Sequence, residues 1–173
     1  MINKLKDIFP KIVENSCVEY INDKEFFIYD CTDDDNDCLT GRCYINQKGQ
    51  FKVLNTSKKE IGFIAVDKCI FFDDDKHKKS DCIVFDDETI CFIEIKDCKV
   101  KQRSNRKHDA KLQLKATIEI FKNKIDLKKK IEAYLCIGYS PTRPSILASS
   151  MTTRAEFEEE LDTSLFEGCQ KEF

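Results

Sequence analysis

Two apolar runs, Cys82–Phe85 and Ile90–Ile95, are separated only by Asp86-Asp87-Glu88-Thr89. Short apolar runs joined by so brief a polar turn predict a β-hairpin. Their near-continuous apolarity means that both strands are covered on both faces. The hairpin must therefore lie inside a layered fold, and the neighbouring segments supply the layers. From Ala110 to Lys124, Leu114, Ile118 and Phe121 fall at helical spacing, with Leu112, Ala116 and Ile120 widening the stripe. Ile61–Val66 and Glu132–Tyr139 read as further strands. Over residues 3–16, Leu5, Ile8, Phe9, Ile12 and Val13 fit an amphipathic helix that Pro10 has to kink or break. Phe26–Tyr29, Cys43–Asn46 and Phe51–Leu54 are strand-like, and Gln47-Lys48-Gly49-Gln50 is expected to join the last two as a hairpin. Thr153-x-x-Glu156 has the form of a capping box for a final helix.

This order predicts an α/β fold, a mixed β-sheet core flanked by helices. At 173 residues the chain suffices for one domain and is short for two. Residues 1–60 read as an N-terminal helix and β-rich extension, 61–140 as the core and 141–173 as a helical tail.

No run approaches the roughly 18–20 apolar residues that span a bilayer. The N-terminal residues Met1–Asp7 lack the apolar segment of a secretory signal. A cytoplasmic address, with no membrane partner, is the resulting expectation. Ten cysteines would suit a disulfide framework in a small exported domain, but here reduced, mostly buried thiols are expected. Cys69, Cys82, Cys91 and Cys136 lie in apolar runs, and Cys31, Cys38 and Cys43 lack the spacing of zinc ligands. The net charge of −3 conceals a strong asymmetry. Thirteen Lys or Arg face four Asp or Glu between Lys96 and Lys130, while acid gathers in 30–37 and 156–172. A basic face can take a polyanion, and the acidic surfaces suit a protein partner. His77 and His108 lie among charged residues, with no partner that would make either a base.

Asp81 opens the first hairpin strand, and Glu94 and Lys96 close the second. Period-two alternation sets Glu94 and Lys96 on one side of the sheet, and antiparallel pairing brings Asp81 beside them. Taken singly, these are ordinary strand-end surface residues with a weak ion pair. Together they are two repelling carboxylates in need of a cation, and Mg²⁺ favours such a carboxylate pair. Glu94-Ile95-Lys96 is the only Glu-x-Lys in the chain.

At these residues the chain resembles the PD-(D/E)xK nuclease superfamily, which includes restriction endonucleases and archaeal Holliday-junction resolvases. The resemblance covers roughly residues 61–140: Asp81, then Glu94-Ile95-Lys96, then a helix and a strand, with Ser80 where a proline often precedes the Asp. It implies a restriction-endonuclease-like fold with Asp81, Glu94 and the Ile95 carbonyl as ligands of Mg²⁺ or Mn²⁺. It makes Lys96 the catalytic lysine and gives Gln113 a place in the site. A further acid would come from the first helix; Glu14 is the candidate, with Glu19 and Glu60 as rivals. Lys99, Lys101, Arg103, Arg106 and Lys107 follow directly and would hold backbone phosphates. The implied activity is metal-dependent endonuclease cleavage of nucleic acid, DNA foremost, in phage defence or DNA processing, and a homodimer would suit duplex cleavage. The other expectation is a catalytically silent nuclease-fold subunit that binds or regulates within a larger complex.

Overall fold

The computed structural model describes residues 2–32, 38–73, 78–98, 102–138, 146–148 and 150–173. The chain is mixed α/β, with two sheets and a few helices. Seven strands form the larger sheet: β1 (Val18–Ile21), β5 (Ile61–Ala65), β6 (Cys82–Phe85), β7 (Thr89–Lys96), β8 (Lys130–Ile137), β9 (Ile146–Leu147) and β10 (Thr163–Glu167). Their order is β1-β5-β6-β7-β8-β10-β9. The smaller sheet has the order β11-β4-β2-β3, from β2 (Glu25–Asp30), β3 (Cys43–Asn46), β4 (Phe51–Leu54) and β11 (Gln170–Glu172).

The β6–β7 hairpin forms as expected, with Asp86 Oδ1 accepting the amides of Glu88 at 2.9 Å and Thr89 at 2.8 Å. Strands β5, β6 and β7 are antiparallel neighbours, and β8 returns parallel to β7 through α3 (Arg103–Lys124). Both faces of the sheet are covered, as the unbroken apolar runs require. On one face Phe121 of α3 meets Phe92 edge-on and stacks on Phe9, which lies between α1 (Ile2–Ile8) and α2 (Lys11–Glu14). Pro10 sits at the break between those two helices. Truncating Phe121 to alanine there would cost about 3–5 kcal/mol. The other face carries the smaller sheet, where Phe51 meets Tyr134 and the Cys136 thiol donates to the Gln50 carbonyl.

Four expectations need correction. β3 and β4 are not a hairpin pair, because β2 lies between them. The Gln47–Gln50 link instead crosses β2 at Ile28–Tyr29. Gly49 passes so close that a Cβ there would stand 2.3 Å from the Ile28 carbonyl oxygen, and only glycine fits. The tail is helical only in part: α4 (Met151–Ala155) and a π-helical continuation (Glu156–Glu160) are followed by β10 and β11, one in each sheet. Alternation in Thr163-Ser164-Leu165-Phe166 buries Thr163 and Leu165, the signature of a half-covered strand. The N-cap of α4 is Ser150, which accepts the Thr153 amide, so Thr153 lies inside the helix. Finally, Cys17–Cys69 and Cys31–Cys38 are disulfides, their Cα atoms 5.8 and 6.2 Å apart, within the range a bridge requires. Sequence separations of 52 and 7 gave no sign of either pairing.

Among the described residues no helix is long and apolar enough to cross a membrane.

Candidate active site

The hairpin register pairs Cys82 with Ile93, so the next residues outward, Asp81 and Glu94, face each other on the α3 side of the sheet. Neither lies on the surface: Glu94 is 0 % exposed and Asp81 3 %. Asp81 Oδ2 accepts the Ile95 amide at 2.5 Å, which locks its carboxylate across the strand pair. The Lys96 ammonium touches Glu94 Oε1 and lies 4.0 Å from Asp81 Oδ1. Beyond this ion pair, no hydrogen-bond donor reaches either Glu94 oxygen among the described residues. A buried carboxylate in that condition is costly.

Burial pushes the Asp81 carboxyl up to about 7 against the pull of Lys96, and Asp30 and Asp67 add to the rise. Burial and then Asp81 drive Glu94 well above the usual carboxylate range, with Lys96 opposing. Burial alone would lower the Lys96 pKa, but Asp81 and Glu94 beside it overcome that and hold the ammonium protonated.

Segments from α3 hold the strand entry. The Gln113 side-chain amide donates to the Lys79 carbonyl at 2.9 Å, and Thr117 Oγ1 accepts the Ser80 amide at 2.7 Å. Gln113 thus positions the chain leading into Asp81. The amides of Val66 and Asp67 both donate to the Asp81 carbonyl, at 3.0 and 3.2 Å.

The expected third acids lie elsewhere. Glu14 is exposed on α2 and Glu19 is exposed on β1. Glu60 lines a recess with Lys59 and Asp86–Glu88, beside the hairpin turn and thus at the far end from Asp81. Besides Glu94, Asp30 and Asp67 raise the Asp81 carboxyl, and the sequence reading passed over both. Burial raises Asp30 to about 6, with Lys96 pulling it down and Asp67 pushing it up. A signal for Asp30 existed: it continues the inward row of Phe26 and Ile28, a register in which a charge is anomalous.

Of the phosphate-binding candidates, Lys99 and Lys101 lie outside the described residues, as do His77 and the turn at 140–144. Arg103, Arg106 and Lys107 belong to the opening turns of α3, which begins before the expected Ala110 because these polar residues overhang the core and carry no apolar stripe. His108 is exposed on the same turns. Arg103 and Arg106 are exposed, whereas Lys107 pairs with Glu167 at 2.5 Å. Lys115 likewise pairs with Glu160, so the basic helix and the acidic tail partly satisfy each other.

Among the described residues, no three His, Cys, Asp or Glu side chains are gathered into a ready metal-binding set. Two carboxylates completed by water and substrate phosphate is, however, an arrangement that suits Mg²⁺. The buried Glu94 carboxylate beside Asp81, with Lys96 as its charged partner, fits such a cation. No family model, curated protein or solved structure matches this chain.

Proposed function

We propose that the chain is a divalent-metal-dependent endonuclease of restriction-endonuclease-like fold that hydrolyses phosphodiesters in DNA. The observation that carries this reading is the pair of buried carboxylates, Asp81 and Glu94, that share the Lys96 ammonium. Asp81 and Glu94 would hold Mg²⁺ or Mn²⁺, with the Ile95 carbonyl as a further ligand. The bound ion would supply Lewis acidity and an acidified water. Lys96, held protonated, would serve as a fixed cation and hydrogen-bond donor toward the phosphate oxygens, where negative charge grows in the transition state. Asp81 is kept in place by the Ile95 amide, so it need not reorganise during the reaction. Arg103 and Arg106, exposed on α3, would hold flanking backbone phosphates.

Purified protein incubated with plasmid, linear DNA and RNA, with Mg²⁺ or Mn²⁺, tests the reading. Metal-dependent cleavage that disappears in Glu94→Ala and Lys96→Ala supports it. Nucleic-acid binding that persists in both variants, with no metal-dependent cleavage by the parent, would instead identify a silent nuclease-fold binding subunit.

A further inference from the structure

We propose that the notch between the α1–α2 break, the turn at Ile70–Phe71 and the last turn of α3 binds a small anionic amphiphile, one carboxylate on an apolar body. The inference does not depend on the nuclease reading.

Phe9, just before the Pro10 break, is buried, and its ring stacks on Phe121 at 5.3 Å and meets Phe71 edge-on at 5.7 Å. Beside this aromatic group, Ile8, Phe9, Ile70, Phe71 and Ile120 line a cavity of about 480 Å³. Mostly apolar walls, a volume of roughly 300–1,000 Å³ and a few convergent polar groups are the marks of a small-molecule site. The walls come from three separate segments, so the shape is a notch for one ligand and not a flat face for a bilayer.

The polar groups lining it are Lys11, Asn123 and Lys124, all exposed. The Lys11 ammonium lies 4.7 Å from the centre of the Phe72 ring, and the Lys124 ammonium 5.4 Å from that of Phe9. Cation–π attraction thus keeps both charges against the apolar wall. Neither ammonium has a carboxylate at ion-pair distance among the described residues, whereas Lys107 and Lys115, earlier in α3, are paired with Glu167 and Glu160. Two cations without counter-charges beside an apolar pocket match a ligand that is negative at one end and apolar elsewhere. A neutral ligand would leave both ammoniums unused, and a cationic one would be repelled. Asn123 adds an amide donor for the same anionic end.

Octanoate, well below its micellar concentration, is titrated into the full chain by calorimetry beside octanol and octyltrimethylammonium. The titrations are repeated on the Lys11→Gln/Lys124→Gln double variant and on Ile120→Glu, with a thermal melt of each. Octanoate is expected to bind saturably and roughly tenfold more tightly than either other probe, a preference that the lysine double variant loses. Ile120 is half-buried at the wall, so Ile120→Glu sets a like charge in the notch and should abolish octanoate binding at a melting temperature near that of the parent. Should Ile120→Glu melt far lower, the lysine variant alone decides. No saturable octanoate binding, equal binding of the three probes, or unchanged octanoate affinity in the lysine double variant would overturn the proposal. So would two other outcomes without octanoate binding: co-sedimentation with phosphatidylglycerol vesicles, which would make the notch a membrane contact, or a dimer that Ile120→Glu dissociates, which would make it an interface between copies.

Discussion

Glu94 and Glu132 are buried carboxylates on two strands paired in parallel, and they are treated in opposite ways. Glu132 accepts from Lys130 at 2.7 Å, the Tyr134 hydroxyl at 2.7 Å and Lys171 at 2.9 Å. Despite burial, those partners hold its carboxyl below the usual range, whereas Glu94 is pushed far above it. One is a satisfied structural anion between the sheets. The other is left wanting.

Unequal stability changes are therefore expected from the same chemical edit. Glu132→Gln removes the charge that Lys130 and Lys171 face and should destabilise the chain by about 2–4 kcal/mol. Glu94→Gln removes a buried charge that has Lys96 as its partner and whose carboxyl is already pushed toward the neutral form, so it should change the stability of the metal-free protein far less than Glu132→Gln does, while ending cleavage. Urea melts in EDTA compare the two. A large loss of stability in Glu94→Gln would show that its charge is structural.

The pH dependence of the metal-free protein follows from the raised acids. Asp81 lies at about 7 and Asp30 at about 6, both above the ordinary value that they regain on unfolding. The folded state thus keeps protons that the unfolded state has released. Its stability from these groups is full below the ordinary carboxylate pKa and is lost as pH rises through 6 to 7. Melting in EDTA should occur at a higher temperature at pH 5 than at pH 8, and added Mn²⁺ should narrow or reverse the difference. A metal-free melting temperature that rises steadily from pH 5 to 8 would contradict the environment described for Asp81.

Those two acids also mark where sequence reading succeeds and where it stops. Asp81, Glu94 and Lys96 were legible because all three lie on one hairpin, where period-two alternation and a four-residue turn determine who faces whom. The burial of the hairpin followed from its apolar runs. For Asp30 the inward register was legible but its surroundings were not, since they depend on a sheet whose order places β2 between β3 and β4. Nothing local reveals that the Gln47–Gln50 link crosses a strand, apart from a glycine whose need is set by the Ile28 carbonyl. The tail strands were missed for a related reason: β11 is three residues long, and its partner β4 precedes it by more than a hundred residues.

Lys96 offers a separation of binding from chemistry. Its ammonium contacts Glu94 and so competes with a cation for that carboxylate. Lys96→Met should therefore bind Mn²⁺ at least as tightly as the parent, yet cleave DNA about 10²–10³-fold more slowly, because a fixed charge at the transition state is gone. Calorimetry and single-turnover cleavage supply the two numbers. Weaker Mn²⁺ binding with unimpaired cleavage would reverse the assignment of Lys96.

Gln113 and Thr117 act on Asp81 through the backbone. Gln113 bonds the Lys79 carbonyl, Thr117 accepts the Ser80 amide, and the Thr117 hydroxyl donates to the Gln113 carbonyl at 3.0 Å. Thr117→Val leaves a buried amide without an acceptor and should cost about 1–3 kcal/mol, while Thr117→Ser keeps the bond. Gln113→Ala should cost about 1 kcal/mol. Because a small misplacement of a reacting group is expensive, both Gln113→Ala and Thr117→Val should slow single-turnover cleavage by roughly tenfold, with the affinity for DNA unchanged and Thr117→Ser restoring the rate. If Gln113 instead touched the nucleic acid directly, Gln113→Ala would weaken DNA binding while Thr117→Val did not, and the two variants would part company.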